Sequence, residues 1–185
     1  MSIAERRALM RLFTLPVLCV LLLLAGCSRS KMKMVKRDYH GHFTSVAGGF
    51  YMHVPDNWEI RENLQGQVVV ARSLPENSHE FRENITVRQP VPGVNATDAR
   101  DQAVAELSKG FPDAKSSSFK EVGRGDGPDG SKFVSYTYTI DGDNLWARSY
   151  FYPASPGLVM LTCTTTAARA AVWTPQFEKI VSDFK

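Results

Sequence analysis

The chain has 185 residues, 43% of them hydrophobic, with 22 basic and 19 acidic side chains, four histidines, three cysteines and a formal charge of +3. That surplus belongs to the first 38 residues: from Tyr39 onward 17 acidic side chains face 14 basic ones, which excludes a nucleic-acid binder, because no basic excess is left to neutralise phosphates. The part beyond residue 42 is long enough for one ordinary hydrophobic core, and no internal repeat divides it.

The N-terminus is a targeting segment. Arg6, Arg7 and Arg11 precede an uncharged stretch, residues 12–26, that ends in Leu24-Ala25-Gly26-Cys27. A cationic head, a short apolar run and small residues before a cysteine make a secretory signal. The run falls short of the roughly 20 residues that cross a bilayer as a helix. It resembles the lipobox of bacterial lipoproteins, which implies that the Cys27 thiol is acylated, as with palmitate, and becomes the first residue of the mature chain. Residues 1–26 are then a removed signal peptide and 27–42 a lipidated cysteine with a basic tether. Each buried methylene of the acyl chains adds roughly 0.8 kcal/mol, so a membrane anchor needs no spanning helix. Arg29, Lys31, Lys33, Lys36 and Arg37 add attraction to anionic headgroups of about 1 kcal/mol each. Ser28, where aspartate would favour the inner membrane, leans towards the outer one. The expected location is the cell envelope, facing the periplasm.

Residues 43–185 read as a single α+β domain, an antiparallel β-sheet flanked by helices. Residues 43–45 open a strand, Gly48-Gly49 turns it, and residues 50–54 return before Pro55-Asp56-Asn57. Trp58 to Glu62 is a short strand or an extended piece, Val68-Val69-Val70-Ala71 is a β-branched strand, and residues 74–81 are loop or a weak turn of helix. Asn84-Ile85-Thr86-Val87-Arg88-Gln89 alternates polar with apolar, a strand with one buried face. A helix follows, capped by Asn95 or Thr97, with Ala103, Val104, Leu107 and Phe111 on one stripe and Gly110 at its end. Residues 118–122 and 132–140 are strands around a loop, Gly123 to Gly130. Asp141-Gly142-Asp143 and Ser155-Pro156-Gly157 then turn the chain into strands 145–152 and 158–165, an antiparallel meander. Phe177, Ile180, Val181 and Phe184 share the face of a final helix, which starts at Thr174-Pro175 or nearer Ala167 with Pro175 inside it.

Gly49-Phe50, Val54-Pro55-Asp56-Asn57-Trp58, Asn84-Ile85-Thr86-Val87, Tyr136-Thr137-Tyr138, Thr162-Cys163 and the Phe177 to Phe184 helix together resemble the PsbP/DcrB-like family. The resemblance covers nearly all of residues 43–185 and implies an α/β/α sandwich around an antiparallel sheet. Members are functionally mixed: photosystem assembly factors, envelope proteins and cytosolic chaperones of secreted effectors, several of them exported or lipid-anchored. The resemblance brings no shared active-site residues.

Chemical motifs are sparse. His40-Gly41-His42, with His53 and His79, is the best metal candidate, but zinc wants three or four ligands. The Asp126 to Asp129 loop lacks the closing glutamate of a calcium loop, and turn chemistry explains its glycines and aspartates. Cys163 lies in an apolar run, as a buried structural thiol does. No serine sits in Gly-x-Ser-x-Gly and no phosphate loop is present, so no catalytic residue and no cofactor is assigned. Aromatic residues are more telling. Tyr136 and Tyr138 share one strand face, as do Trp146, Tyr150 and Tyr152, and they either pack under a helix or line a ligand-binding groove. The sequence thus describes a lipid-anchored envelope protein that binds, as an assembly or maintenance factor, an envelope protein or lipid-like partner. The alternative is an envelope hydrolase or metal-dependent enzyme whose site is assembled from distant residues.

Overall fold

The computed structural model describes residues 32–35, 41–46, 49–63, 67–72, 80–88, 93–109, 119–140, 142–154 and 157–185. The signal segment, Cys27, His40, His79, Gly110 and Phe111 lie outside them. Period-two alternation sets the architecture. Val68, Val70, Ile85 and Val87 are fully buried, while Val69, Ala71, Asn84 and Thr86 between them face the other way and are half-exposed.

Eight strands form one antiparallel sheet: β1 (Lys33–Met34), β4 (Trp58–Glu62), β5 (Val68–Arg72), β6 (Asn84–Arg88), β10 (Leu158–Thr166), β9 (Asp143–Pro153), β8 (Lys132–Ile140) and β7 (Phe119–Asp126), in that spatial order. A separate hairpin, β2 (His42–Ser45) and β3 (Phe50–His53), completes the ten. The helices are α1 (Ala96–Ser108) and α2 (Ala170–Ser182). This is the expected antiparallel α+β arrangement. β1 comes from within the stretch read as tether: Lys33 pairs with Glu62 and Met34 with Arg61.

One face of the sheet is closed by α2 and the hairpin. Trp173, Phe177, Ile180 and Phe184 pack there with Phe43, Met52, Trp58 and Trp146. Full burial of such side chains stabilises by about 1.5–3 kcal/mol each, which makes this the main core. The Tyr152 hydroxyl donates to the Val181 carbonyl at 3.1 Å, a second donor to an acceptor in the last turn of α2 that also takes the Phe184 N–H at 3.1 Å. The opposite face carries α1 over β7, β8 and β9, with Ala103 and Leu107 buried against Val134, Ala147 and Phe151.

Asn95 is the cap of α1, its side chain accepting from the Asp98 N–H at 2.9 Å. Two expectations are corrected. The first half of the glycine-rich loop is strand: β7 runs on to Asp126 with an irregular register between Glu121 and Gly123, and a tight Pro128–Gly130 turn takes up the second half. Gly125 allows this, because a Cβ there would lie 3.0 Å from the Phe133 ring. Thr174-Pro175 does not start the last helix, whereas the alternative start nearer Ala167 fits. A single turn, Ala167–Arg169, leads into α2, which contains Pro175, and the Thr174 hydroxyl donates to the Ala170 carbonyl at 2.8 Å.

Candidate functional site

Beyond the edge of α1, a groove of about 410 Å³ crosses the sheet, a size within the roughly 300–1,000 Å³ usual for small-molecule sites. Two rungs of cross-strand partners build its floor. Arg61, Val69, Thr86 and Thr162 are consecutive partners across β4, β5, β6 and β10, and Glu59, Ala71, Asn84 and Thr164 form the next rung. These rungs are small at their centre, and larger side chains wall them: Phe81 and Arg82 before β6, and Tyr136, Tyr138, Ile140 and Leu145 on β8 and β9.

The floor is polar, and several of its hydroxyls bond within the protein. The Tyr136 hydroxyl lies 3.2 Å from Ser149 Oγ, which lies 2.9 Å from Thr162 Oγ1, and Tyr138 is hydrogen-bonded to Thr164. Burial pushes both phenols above their ordinary range, so they stay protonated and serve as hydroxyls. The β4 end is ionic. Glu59 Oε2 accepts from Arg82 Nη2 at 2.9 Å and from Arg61 Nη2 at 3.3 Å. The Arg82 hydrogen bond, with both positive charges, holds the Glu59 carboxyl below the usual carboxylate range. Two guanidinium groups against one carboxylate leave one positive charge in excess at this end.

The five aromatic residues singled out in the sequence are not brought together. Tyr136 and Tyr138 line the groove, whereas Trp146, Tyr150 and Tyr152 lie on the other face, inside the core under α2. Register is the reason. Tyr136 pairs with Ala147 and Tyr138 with Leu145, so the even-numbered aromatics of β9 point away from those of β8. That second face is filled as well: the Arg148 guanidinium lies 5.4 Å from the Trp146 ring centroid and 4.7 Å from that of Phe133, and it bonds Ser135 and Glu178.

Other candidates are placed as follows. His42 and His53 pair across the hairpin with ring centroids 5.2 Å apart. Among the described residues no group of three or more His, Cys, Asp or Glu side chains could hold a metal ion. Asp126 pairs with Lys132, and Asp129 lies 3.6 Å from Lys185 Nζ. Cys163 is fully buried in the α2-side core, and desolvation raises its thiol pKa, which disfavours the nucleophilic thiolate. The sequence reading passed over Glu59, Arg61, Arg82 and the threonines. Their only signal was the polar half of the alternation in β4, β6 and β10.

Among the described residues no helix is long and apolar enough to cross a membrane. No protein-family model and no curated protein matches the chain. Among solved structures it is similar to PA94 of Pseudomonas aeruginosa, a protein of unknown function described as a putative regulator. That match has 18% identity and a TM-score of 0.51, over 82% of this chain and 94% of that one. It is also similar to cyanobacterial PsbP (CyanoP) of Synechocystis sp. PCC 6803, at 15% identity and a TM-score of 0.56, over 86% and 95%. LpqN of Mycobacterium tuberculosis, involved in cell envelope biogenesis, matches at 13% identity and a TM-score of 0.49, over 84% and 90%. The chain has a PsbP-like fold, as the resemblance implied.

Proposed function

We propose that this is a lipid-anchored envelope protein that works by binding rather than turnover, with Cys27 as its anchor and the groove across β4, β5, β6 and β10 as its binding site. The observation that carries this is the half-covered sheet face. A face with a helix over one side only, walled by Phe81, Tyr138, Ile140 and Leu145, is a surface built to receive something. The groups in it point to recognition. Its Tyr136, Tyr138, Thr162 and Thr164 hydroxyls are engaged within the protein, and its Glu59 carboxylate is neutralised by two arginines. The short apolar leader ending in Leu24-Ala25-Gly26-Cys27 supports the anchor.

Two measurements test the reading. Intact mass of the protein from the membrane fraction should show a species that begins at Cys27 and carries acyl mass, and Cys27→Ser should abolish it. A soluble, unmodified, full-length chain would refute the anchor. Hydrogen exchange on adding an envelope lipid extract should slow selectively in β4, β5, β6 and β10, and Thr86→Phe should remove the effect. Protection unchanged in that variant would refute the groove as the binding site.

A further inference from the structure

We infer that the groove takes a single-chain amphiphile with a singly charged anionic head, drawn from the membrane surface; this rests on the Cys27 anchor reading. Polarity along the groove indicates the ligand's orientation. At the β4 end, Arg61 and Arg82 share Glu59 and leave one unbalanced positive charge, with the Arg61 side chain 52% and that of Arg82 38% exposed. At the β8 and β9 end the walls are Tyr138, Ile140 and Leu145. Five strand spacings of about 4.8 Å separate these ends, roughly 24 Å, a span suited to a head and an extended chain. A peptide fits less well. Each peptide unit needs a donor and an acceptor in a desolvated trough, and of the floor hydroxyls Thr162 and Thr164 are already bonded to Ser149 and Tyr138. An acyl chain makes no such demand.

β1 places the charged end near the bilayer. Lys33 lies six residues on from Cys27, a reach of at most about 22 Å. Lys33 pairs with Glu62 and Met34 with Arg61, so the chain arrives from Cys27 at the Arg61 end of β4. Directly paired residues share a face, and Met34, 61% exposed, therefore extends the groove face beside Arg61 as an apolar lip. A head group at Arg61 and Arg82 is thus held beside the anchor, with its chain led away from the membrane along the sheet.

The test uses the acylated protein in phosphatidylcholine vesicles that carry a small fraction of a photoactivatable fatty acid, with the matching fatty alcohol as the uncharged probe. The acid should label peptides containing Phe81 or Leu145, and the alcohol at least tenfold less. Thr86→Phe, or Ala71→Leu should the first variant melt early, should suppress labelling about tenfold. The double variant Arg61→Gln/Arg82→Gln should lower labelling by the acid to that of the alcohol. Equal labelling by both probes, labelling untouched by the filling variants, or no label in the groove would overturn the inference. Flotation of Cys27→Ser with vesicles is scored separately: a variant that still floats refutes the anchor, while charge-dependent labelling of its groove would still uphold the ligand class.

Discussion

Replacing Glu83 by glutamine strikes the polar cluster that ties α2 to the sheet. Glu83 is fully buried, and its carboxylate accepts from Arg72 Nε at 2.6 Å, Arg169 Nη1 at 2.8 Å and Thr165 Oγ1 at 3.3 Å. Both guanidinium groups also stack on Trp173, 5.7 and 5.5 Å from its ring centroid. Glu83→Gln keeps the shape but leaves two cations around a neutral amide. Removing one partner of a buried pair costs about 3–5 kcal/mol. The lower end applies, because Arg72 keeps Glu80 at 3.0 Å and the Arg169 side chain is 36% exposed and can turn to water. At about 2–4 °C per kcal/mol for a chain of this size, a loss of about 3 kcal/mol lowers Tm by about 6–12 °C. Thermal melts by circular dichroism check this, and a double-mutant cycle with Arg169→Gln should give a coupling above about 1 kcal/mol. A Glu83→Gln protein that melts within 2 °C of wild type, a margin well inside the roughly 6 °C minimum, would refute the account.

Trp146→Ala should destabilise by about 3–5 kcal/mol, since the ring is buried in the core under α2; near-wild-type denaturant unfolding would contradict that placement. Glu59 has a depressed folded pKa, so its contribution to stability is present above the unfolded value of about 4.3 and is lost as pH falls towards the folded one. A carboxyl-resolved NMR titration should therefore place Glu59 below ordinary glutamates, and Arg82→Gln should raise it; an unmoved midpoint would remove Arg82 as the cause. Cys163 should resist iodoacetamide in the folded protein at pH 8 and react once unfolded. Rapid native alkylation, followed by mass, would show that the thiol is not sealed in the core.

The legible part of this fold was the part written in period. The alternation in residues 84–88 and the stripe Ala103, Val104, Leu107 each named a buried side, and those sides are buried or half-buried in the structure. The β7 extension was hidden because glycines at 123 and 125 read as loop, while the place of Gly125 under the Phe133 ring depends on its pairing with the next strand. β1 was hidden for a different reason: two residues in a lysine-rich stretch carry no pattern, and only β4 as a partner makes them a strand. The groove fell between these cases. Its threonines and arginines stood in the sequence as the polar half of each strand. Whether a polar half faces open water or a walled trough depends on how far α1 reaches across the sheet, and no local signal encodes that reach.

The two margins of the large sheet are unequally guarded against joining another molecule. On one side, β7 offers eight residues broken by an irregular register and studded with Lys120, Glu121, Arg124 and Asp126, features that discourage edge-to-edge pairing. On the other, β4 is shielded by only two residues of β1 and the Val35 N–H bond to the Ile60 carbonyl. A recombinant chain trimmed to begin at residue 43, the natural choice for removing a leader and spacer, would strip that cover. It would bare a strand carrying Trp58 and Ile60 to self-association, so a soluble version for biophysics should begin before Lys33.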